Sequence, residues 1–190
     1  MQKPSGYDEA QIMGDFTPIE LGGHHMIIKG VKEQESSNGK PMIVVAYDFA
    51  KNDKQPGYFS DSFENDIRPD KKWPNAGTAY ILTQDYNDPS KTSKNFKTFI
   101  TSFERSNNCT AVWGDAFAAQ FTGKKIGGVF GIVEEEYNGK TSKRHKLRWF
   151  CEDAKAEGAN IPKEKLLSNS GSIPPGFTNI APGVDEEVPF

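Results

Sequence analysis

The clearest alternation of apolar and polar positions lies between Gly123 and Cys151. Two β-prone runs flank Asn138-Gly139, and Asn-Gly is a strong hairpin signal because both residues tolerate positive φ. Alternation in the second run predicts one basic face, formed by Arg144, Lys146 and Arg148, and one apolar face, formed by Leu147, Trp149 and Cys151. The first run contains three glycines, which favour a bent strand: Gly127, Gly128 and Gly131. The pattern predicts a β-hairpin with a basic face, and the alternative is an ordinary solvated sheet surface.

Two strands near the start of the chain are expected to form a second hairpin. The first lies within Leu21 to Glu33, a turn follows at residues 36–39, and the second strand runs from Met42 to Lys51. The second strand is apolar on both sides, which indicates that both of its faces are covered. One of these faces carries Ile43, Val45, Tyr47 and Phe49. Residues 57–60 and 78–82 are weaker strand candidates.

The period of the apolar positions changes after Ser93. Apolar residues then recur at helical spacing up to about Asn107: Phe96, Phe99, Ile100 and Phe103. A second, shorter helix is expected from Asp115 to Phe121, with Asp115 as its N-cap and Gly123 closing it.

The predicted order is therefore strand, strand, strand candidate, helical insertion, strand, strand. This order is typical of the oligonucleotide/oligosaccharide-binding (OB) fold, a five-stranded Greek-key barrel. We expect an all-β domain with accessory helices over residues 1–152. The alternatives are another small β-barrel, or an α+β sandwich with its helices on one face.

Composition and charge narrow the function. The chain of 190 residues has a net charge of −3, so any site for a polyanion depends on local clustering. The densest cationic cluster runs from Lys140 to Arg148 and contains five Lys/Arg, one His and no acid. Two cysteines, Cys109 and Cys151, are typical of a reduced protein. No signal-peptide pattern and no apolar run long enough for a membrane span is visible, which predicts a cytoplasmic protein without membrane association.

The composition changes again beyond Asp153. From Ser168 onward Ser, Gly, Pro and Asn dominate, and such a segment buries too little apolar surface to offset its ordering entropy. We therefore predict a flexible linker and a disordered tail over residues 153–190. The chain ends in three acids, an aliphatic residue, a proline and an aromatic: Asp185, Glu186, Glu187, Val188, Pro189 and Phe190.

This ending resembles the C-terminal tip of bacterial single-stranded DNA-binding proteins, an acidic run followed by an aliphatic residue, Pro and Phe. The layout is similar too, with an OB domain, a linker rich in Gly, Pro and Ser, and the tip. The body departs from the housekeeping bacterial proteins and carries an extra helix at 93–107. It is more similar to the divergent proteins of this class in bacteriophages and other mobile elements. The motif covers six residues, and the layout covers the chain more loosely.

The resemblance implies a function and two kinds of partner. It implies coating and protection of single-stranded DNA, without sequence specificity, during replication or recombination inside a bacterial host cell. It also implies that the tip recruits replication and recombination proteins. Phe190 would fill an apolar pocket on such a partner, while its carboxylate and the preceding acids meet cations.

A binder of this kind needs cations that follow the phosphates and aromatic faces on which bases stack. The expected cations are Lys124, Lys125, Lys140, Lys143, Arg144, Lys146 and Arg148. The aromatic candidates are Tyr47, Phe49, Tyr58, Trp73, Tyr137 and Trp149. A core position is the alternative for each aromatic, and it is favoured for Trp149, which is predicted to share a face with Leu147. Trp73 and Tyr137 lie in more polar surroundings.

No catalytic or metal-binding pattern is visible, and we expect no enzyme activity and no cofactor. A phosphate-binding loop ending at Gly123-Lys124 would need glycine where Ala118 stands, and the His and Cys residues lack zinc-site spacing. The run Glu134–Glu136 is either a solvated end or an internal mimic that faces the cations. The competing hypothesis is an OB-like protein-interaction or recombination accessory module with minor DNA contact. The oligomeric state stays open, with a homodimer as one option.

Overall fold

The computed structural model describes residues 2–5, 7 and 17–167, and this part of the chain contains five strands and two α-helices. In chain order these are β1 (Gly22–Glu35), β2 (Pro41–Phe49), α1 (Tyr58–Glu64), β3 (Thr78–Leu82), α2 (Lys94–Asn107), β4 (Lys125–Tyr137) and β5 (Lys140–Cys151). Short 3-10 helices lie at Asn75–Gly77, Ala118–Phe121 and Asp153–Lys155. Neither α-helix is long and apolar enough to cross a membrane. The predicted disordered tail from Ser168 and the tip at its end lie outside the described residues.

The strands form one antiparallel sheet in the order β3-β2-β1-β4-β5. The first four strands have the order of a Greek key, because β4 returns by a long connection, containing α2, to lie beside β1. Among the described residues no ladder joins the two edge strands, β3 and β5, so the predicted barrel is not closed. Asn95 and Thr98 of α2 line a small cavity with Ile81 of β3 and Phe150 of β5, so α2 occupies the gap between the edges.

The main core lies between the sheet and α2. The predicted apolar stripe of α2 is confirmed, since all of its members are buried: Phe96, Phe99, Ile100 and Phe103. The Phe99 ring lies 5.1 Å from that of Phe150, and the Phe103 ring lies 4.5 Å from that of Phe121. β2 is buried on both faces, as predicted. One face joins the main core, and the other joins a second cluster: Met42, Val44 and Leu82.

Two local predictions are wrong. Residues 57–60 do not continue the sheet but begin α1. The carboxylate of Asp48 accepts hydrogen bonds from the N–H groups of Phe59 (2.9 Å) and Ser60 (3.2 Å), which satisfies donors that every helix leaves open in its first turn. The second predicted helix is shorter than expected and is confined to the 3-10 turn at Ala118–Phe121. The start of α1 thus depends on Asp48, which lies 11 positions before Phe59, and no local sequence pattern reveals this contact.

The predicted hairpin of β4 and β5 is confirmed, but one extra residue changes which side chains it exposes. Asn138 and Gly139 form the turn with φ of 51° and 72°. Val129 pairs with Trp149 and Phe130 pairs with Leu147, so Arg148 is a bulge residue without a partner of its own. Because a bulge reverses the alternation, Phe150 is buried and Trp149 is 40% exposed. The predicted apolar face of Leu147, Trp149 and Cys151 is therefore wrong beyond Leu147.

Neighbouring chain segments lie close to the backbone of β4 at its glycines. A Cβ at Gly128 would lie 2.3 Å from Cε of Met26, and one at Gly131 would lie 2.4 Å from Cγ of Pro162. A Cβ at Gly127 would lie 2.7 Å from the carbonyl oxygen of Glu152. Close approach of other chain segments leaves no room for a side chain at these positions.

The folded part of the chain continues past the predicted boundary at residue 152. Ala156 is fully buried, and its carbonyl oxygen lies against Gly23 of β1. Farther along, Lys165 forms a parallel bridge with Val133 of β4. The segment from 153 to 167 therefore packs on the sheet, and the predicted start of the linker is too early.

We expect Gly23→Ala to destabilise the protein by at least about 2 kcal/mol, the middle of the range for overpacked sites. The new Cβ would lie 1.7 Å from the backbone carbonyl oxygen of Ala156, so one chain segment has to move. The matched control is Gly158→Ala, because a Cβ there has no neighbour within 4 Å. Urea unfolding of the two variants measures the difference, and equal stabilities would show that residues 153–156 are not seated on β1.

Candidate nucleic-acid interface

The distal half of the β4–β5 hairpin extends beyond the rest of the sheet. β1 pairs with β4 only as far as Gly22 opposite Phe130, and Gly22 has a φ of 100° that turns the chain away from the ladder. The pairing of β4 with β5 continues to Tyr137 opposite Lys140. We call residues Gly131–Lys146 the arm. At about 3.4 Å per residue the arm is roughly 20 Å long.

Two other segments hold the base of the arm. The N–H of Lys165 donates to the carbonyl of Ile132 (3.0 Å), and the N–H of Glu134 donates to the carbonyl of Lys165 (2.9 Å). These bonds occupy the edge of β4 that β1 leaves free. The carbonyl oxygen of Ile19 accepts a hydrogen bond from Nδ1 of His145 in β5. The arm is thus held at its base while its tip extends outward.

The predicted basic face is present, although the bulge alters how Arg148 reaches it. Arg144 and Lys146 pair with Val133 and Gly131, so their side chains project from the same face of the arm. Arg148 lies over Gly131 on that face, and its guanidinium donates to the carbonyl of Lys163 (3.0 Å). The three cations therefore share one face, and Arg148 also anchors the segment at 163–167.

Carboxylates neutralise part of this charge. Lys146 is paired with Glu135, and Lys143 is paired with Glu164 at 2.6 Å between Nζ and Oε2. The hydrogen bond to Glu164 raises the pKa of Lys143, with a further contribution from the negative charge. For the run Glu134–Glu136, the sequence left open a solvated end or an internal mimic that faces the cations, and the pairing of Glu135 with Lys146 agrees with the second alternative.

The arm nevertheless has an excess of positive charge. Together with Arg148 and residues 163–167 it contains seven Lys/Arg and four Glu. The pKa of Lys165 lies below its usual value, first because the group is partly buried and then because Arg148 and Lys146 are close. Lys140 and Arg144 are exposed and make no ion pair with any residue that the structure describes. These two side chains are available to phosphates without breaking an existing contact.

The remaining predicted cations lie elsewhere. Lys124 and Lys125 are exposed at the start of β4, and neither forms an ion pair within the described ranges. The length of β4 separates them from the arm tip by about 40 Å. The structure therefore does not bring all seven predicted cations into one cluster.

The predicted aromatic residues fall into three groups. Tyr47 and Phe49 are core residues, 1% and 3% exposed, so neither ring offers a face to a base. Tyr58 and Trp73 are half-buried: the Tyr58 hydroxyl donates to the carbonyl of Thr17 (2.8 Å), and the Trp73 indole donates to that of Gly77 (3.0 Å). Partial burial also raises the pKa of Tyr58 to about 12.

The third group is exposed. Tyr137 is 54% exposed at the tip of the arm, and Trp149 is 40% exposed near its base. These two rings are the predicted aromatics that remain accessible to a base.

Trp113 is an exposed aromatic that the sequence prediction misses. Its ring is 62% exposed and stacks on Phe117, with centroids 5.3 Å apart and planes 15° apart. The available signal was its place in a polar loop, before Gly114-Asp115 and outside every periodic run. A tryptophan that belongs to no predicted strand or helix is a candidate contact residue.

The described residues contain no group of three or more His, Cys, Asp or Glu that could hold a metal ion. Burial raises the pKa of the Cys151 thiol to about 11, with a further contribution from Asp153, so the thiolate nucleophile is scarce at neutral pH.

Comparison with the models of known protein families, and with curated proteins by sequence, finds no match.

We expect Glu135→Gln and Glu164→Gln each to raise the affinity for an oligonucleotide, by up to about fivefold at low salt. The estimate follows from the typical strength of exposed ion pairs, since each change frees one lysine of the arm. Fluorescence anisotropy with labelled oligo(dT) measures the change. The control is Glu33→Gln, which alters net charge equally on an exposed residue of β1. An equal gain in the control would attribute the effect to net charge alone.

Proposed function

We propose that this protein binds single-stranded DNA without sequence specificity, and coats and protects it. The observation that carries the proposal is the arm, a projecting two-stranded ribbon with more cations than carboxylates and an exposed tyrosine at its tip. Cations that follow phosphates, combined with aromatic faces that accept any base, are what binding to single strands requires. Stacking on a side chain needs an unpaired base, so the same features favour single strands over duplex.

The strand order supports an OB-type domain as the scaffold. OB-folds are partly open five-stranded Greek-key barrels, and the loops between strands 1 and 2 and between strands 4 and 5 contribute to nucleic-acid binding. Here the Greek-key order and the position of α2 between β3 and β4 are consistent with that architecture. The arm consists of the distal parts of β4 and β5 and the turn that joins them, and it corresponds in chain order to the loop between strands 4 and 5 of an OB-fold.

The C-terminal tip, Asp185 to Phe190, supplies the second part of the proposal. By its sequence resemblance it recruits replication or recombination proteins to DNA in the cytoplasm of a bacterial host, in the life cycle of a phage or mobile element. Leu167 is the last described residue, and its N–H donates to Glu134 of the arm (3.1 Å). The last described residue before the tail therefore lies beside the proposed DNA surface.

The competing function is a protein-interaction or recombination accessory module with minor DNA contact. Its support is that two of the arm cations, Lys143 and Lys146, already have carboxylate partners. The experiment below separates the two functions, because an accessory module would show weak binding with little dependence on salt.

The test of the main proposal is binding to oligo(dT) and to a duplex of equal length over a range of salt concentrations. We expect tighter binding to the single strand, with a log–log salt slope of about −0.7 for each phosphate neutralised. Lys140→Glu with Arg144→Glu should lower the affinity at least tenfold, because these arm cations have no carboxylate partner in the described chain. The control is Lys54→Glu with Lys71→Glu, two exposed residues outside the arm. Equal affinity for duplex, or a slope near zero, would contradict the proposal.

Deletion of residues 185–190 should leave the affinity for oligo(dT) intact or raise it slightly at low salt, since the acids compete with DNA for cations. The same deletion should abolish capture of replication proteins from a host lysate, and Phe190→Ala should account for most of that loss. A several-fold fall in DNA affinity on deletion would instead place the tip within the DNA-binding domain.

A further inference from the structure

A groove runs between α2 and the end of β5, on a part of the surface distinct from the arm. It has a volume of about 320 Å³ and is open to solvent. Its lining contains the buried ring of Phe150 together with hydroxyl and cationic side chains, among them Thr101, Lys97, Arg105 and Lys155. The groove thus combines an aromatic ring with several cations.

The charges of this groove are arranged around one carboxylate. Glu152 is paired with Arg105 at 2.8 Å and with Lys155 at 2.9 Å. Hydrogen bonds from Lys155 and then Arg105 lower the pKa of Glu152. Lys97 is exposed and makes no ion pair in the described part of the chain. With three cations to one carboxylate, the groove lining retains a positive charge.

Two exposed tryptophans lie beside the first turns of α2, where the groove begins. Trp149 lines a small cavity together with Asn95 and Thr98, and Thr98 also lines the groove. On the neighbouring side of the helix, the Trp113 ring lies 6.3 Å from that of Phe96. The N-terminal half of α2 therefore has an accessible indole on each of two sides.

The loop that carries Trp113 is held in place by a side chain. The Gln120 amide accepts from the N–H of Val112 and donates to the carbonyl of the same residue, both at 2.7 Å. Phe117 supports one face of the indole and leaves the other accessible. Such preorganisation lowers the entropy lost when a ligand binds.

We propose that single-stranded DNA follows this second surface, crossing α2 between Trp113 and Trp149 and continuing along the groove. Bases stack on the two indoles, and phosphates lie against Lys97, Arg105 and Lys155. This inference rests on the proposed function and adds to it a second contact region for the same ligand. It assigns Trp113 a role in binding. It also assigns one to Trp149, whose ring is exposed because of the bulge at Arg148.

The three tryptophans of the chain allow each contact to be tested separately. Pairwise Trp→Phe substitution leaves one indole at a time: Trp73, Trp113 or Trp149. We expect saturating oligo(dT) to quench the fluorescence of the Trp113-only and Trp149-only proteins and to leave the Trp73-only protein nearly unchanged, since Trp73 is half-buried and its N–H is bonded to Gly77. Binding without quenching in either the Trp113-only or the Trp149-only protein overturns the inference.

The cations of the groove supply an independent measurement. Lys97→Gln with Arg105→Gln should reduce the log–log salt slope by about 1.4, the value for two phosphate contacts on a single strand. Lys54→Gln with Lys71→Gln removes the same charge outside the groove and should leave the slope unchanged. Lys97→Gln alone breaks no ion pair, and its expected loss of about 0.7 does not depend on the Arg105–Glu152 contact.

The outcomes distinguish the two proposals. If the wild-type protein fails to bind oligo(dT), the proposed function fails and this inference fails with it. If the wild-type protein binds and the arm variants lose affinity, while the groove variants keep an unchanged salt slope, only the second contact region is wrong.

Discussion

The structure depends on the short pairing between β1 and β4. This ladder runs from Gly22 opposite Phe130 to Ile27 opposite Lys125, and it completes the Greek key. The backbone at 152–156 lies against Gly23 and Gly127, where a methyl group would collide with it. Because the ladder is short, β4 and β5 continue beyond it as a projecting arm. The segment at 152–156 follows directly after β5, and together with the end of β5 and α2 it lines the groove.

Both proposed contact regions would bind phosphates through cations, but the cations are arranged differently in each. On the arm, cations alternate along an edge strand, a position where charged side chains also discourage pairing with other chains. In the groove, cations lie on a helix and on the segment after β5. Internal carboxylates partly neutralise both regions: Glu135, Glu164 and Glu152. A ligand whose phosphates replace these carboxylates binds with an affinity that depends strongly on salt.

The features that local patterns encode could be predicted from the sequence. The Asn138-Gly139 turn, the four long strands and the apolar stripe of α2 all follow from residue type and spacing. The remaining features depend on contacts between distant residues. The start of α1 requires the carboxylate of Asp48, and the bulge at Arg148 depends on how β5 aligns with β4. A single inserted residue moved Trp149 out of the predicted core, whereas the long-range packing of β2 placed Tyr47 and Phe49 within it. Exposure is therefore the property of the candidate site that the sequence predicted least well.

The most direct test of the central claim, that the arm contacts single-stranded DNA, is photo-crosslinking to an oligonucleotide carrying 5-iododeoxyuridine, followed by mass spectrometry. The exposed ring of Tyr137 at the tip of the arm should form a major crosslink, and the wild-type protein should show none at Tyr47 or Phe49, which are buried. Crosslinks that leave residues 131–146 unlabelled, at an oligonucleotide concentration that saturates the protein, would contradict the account.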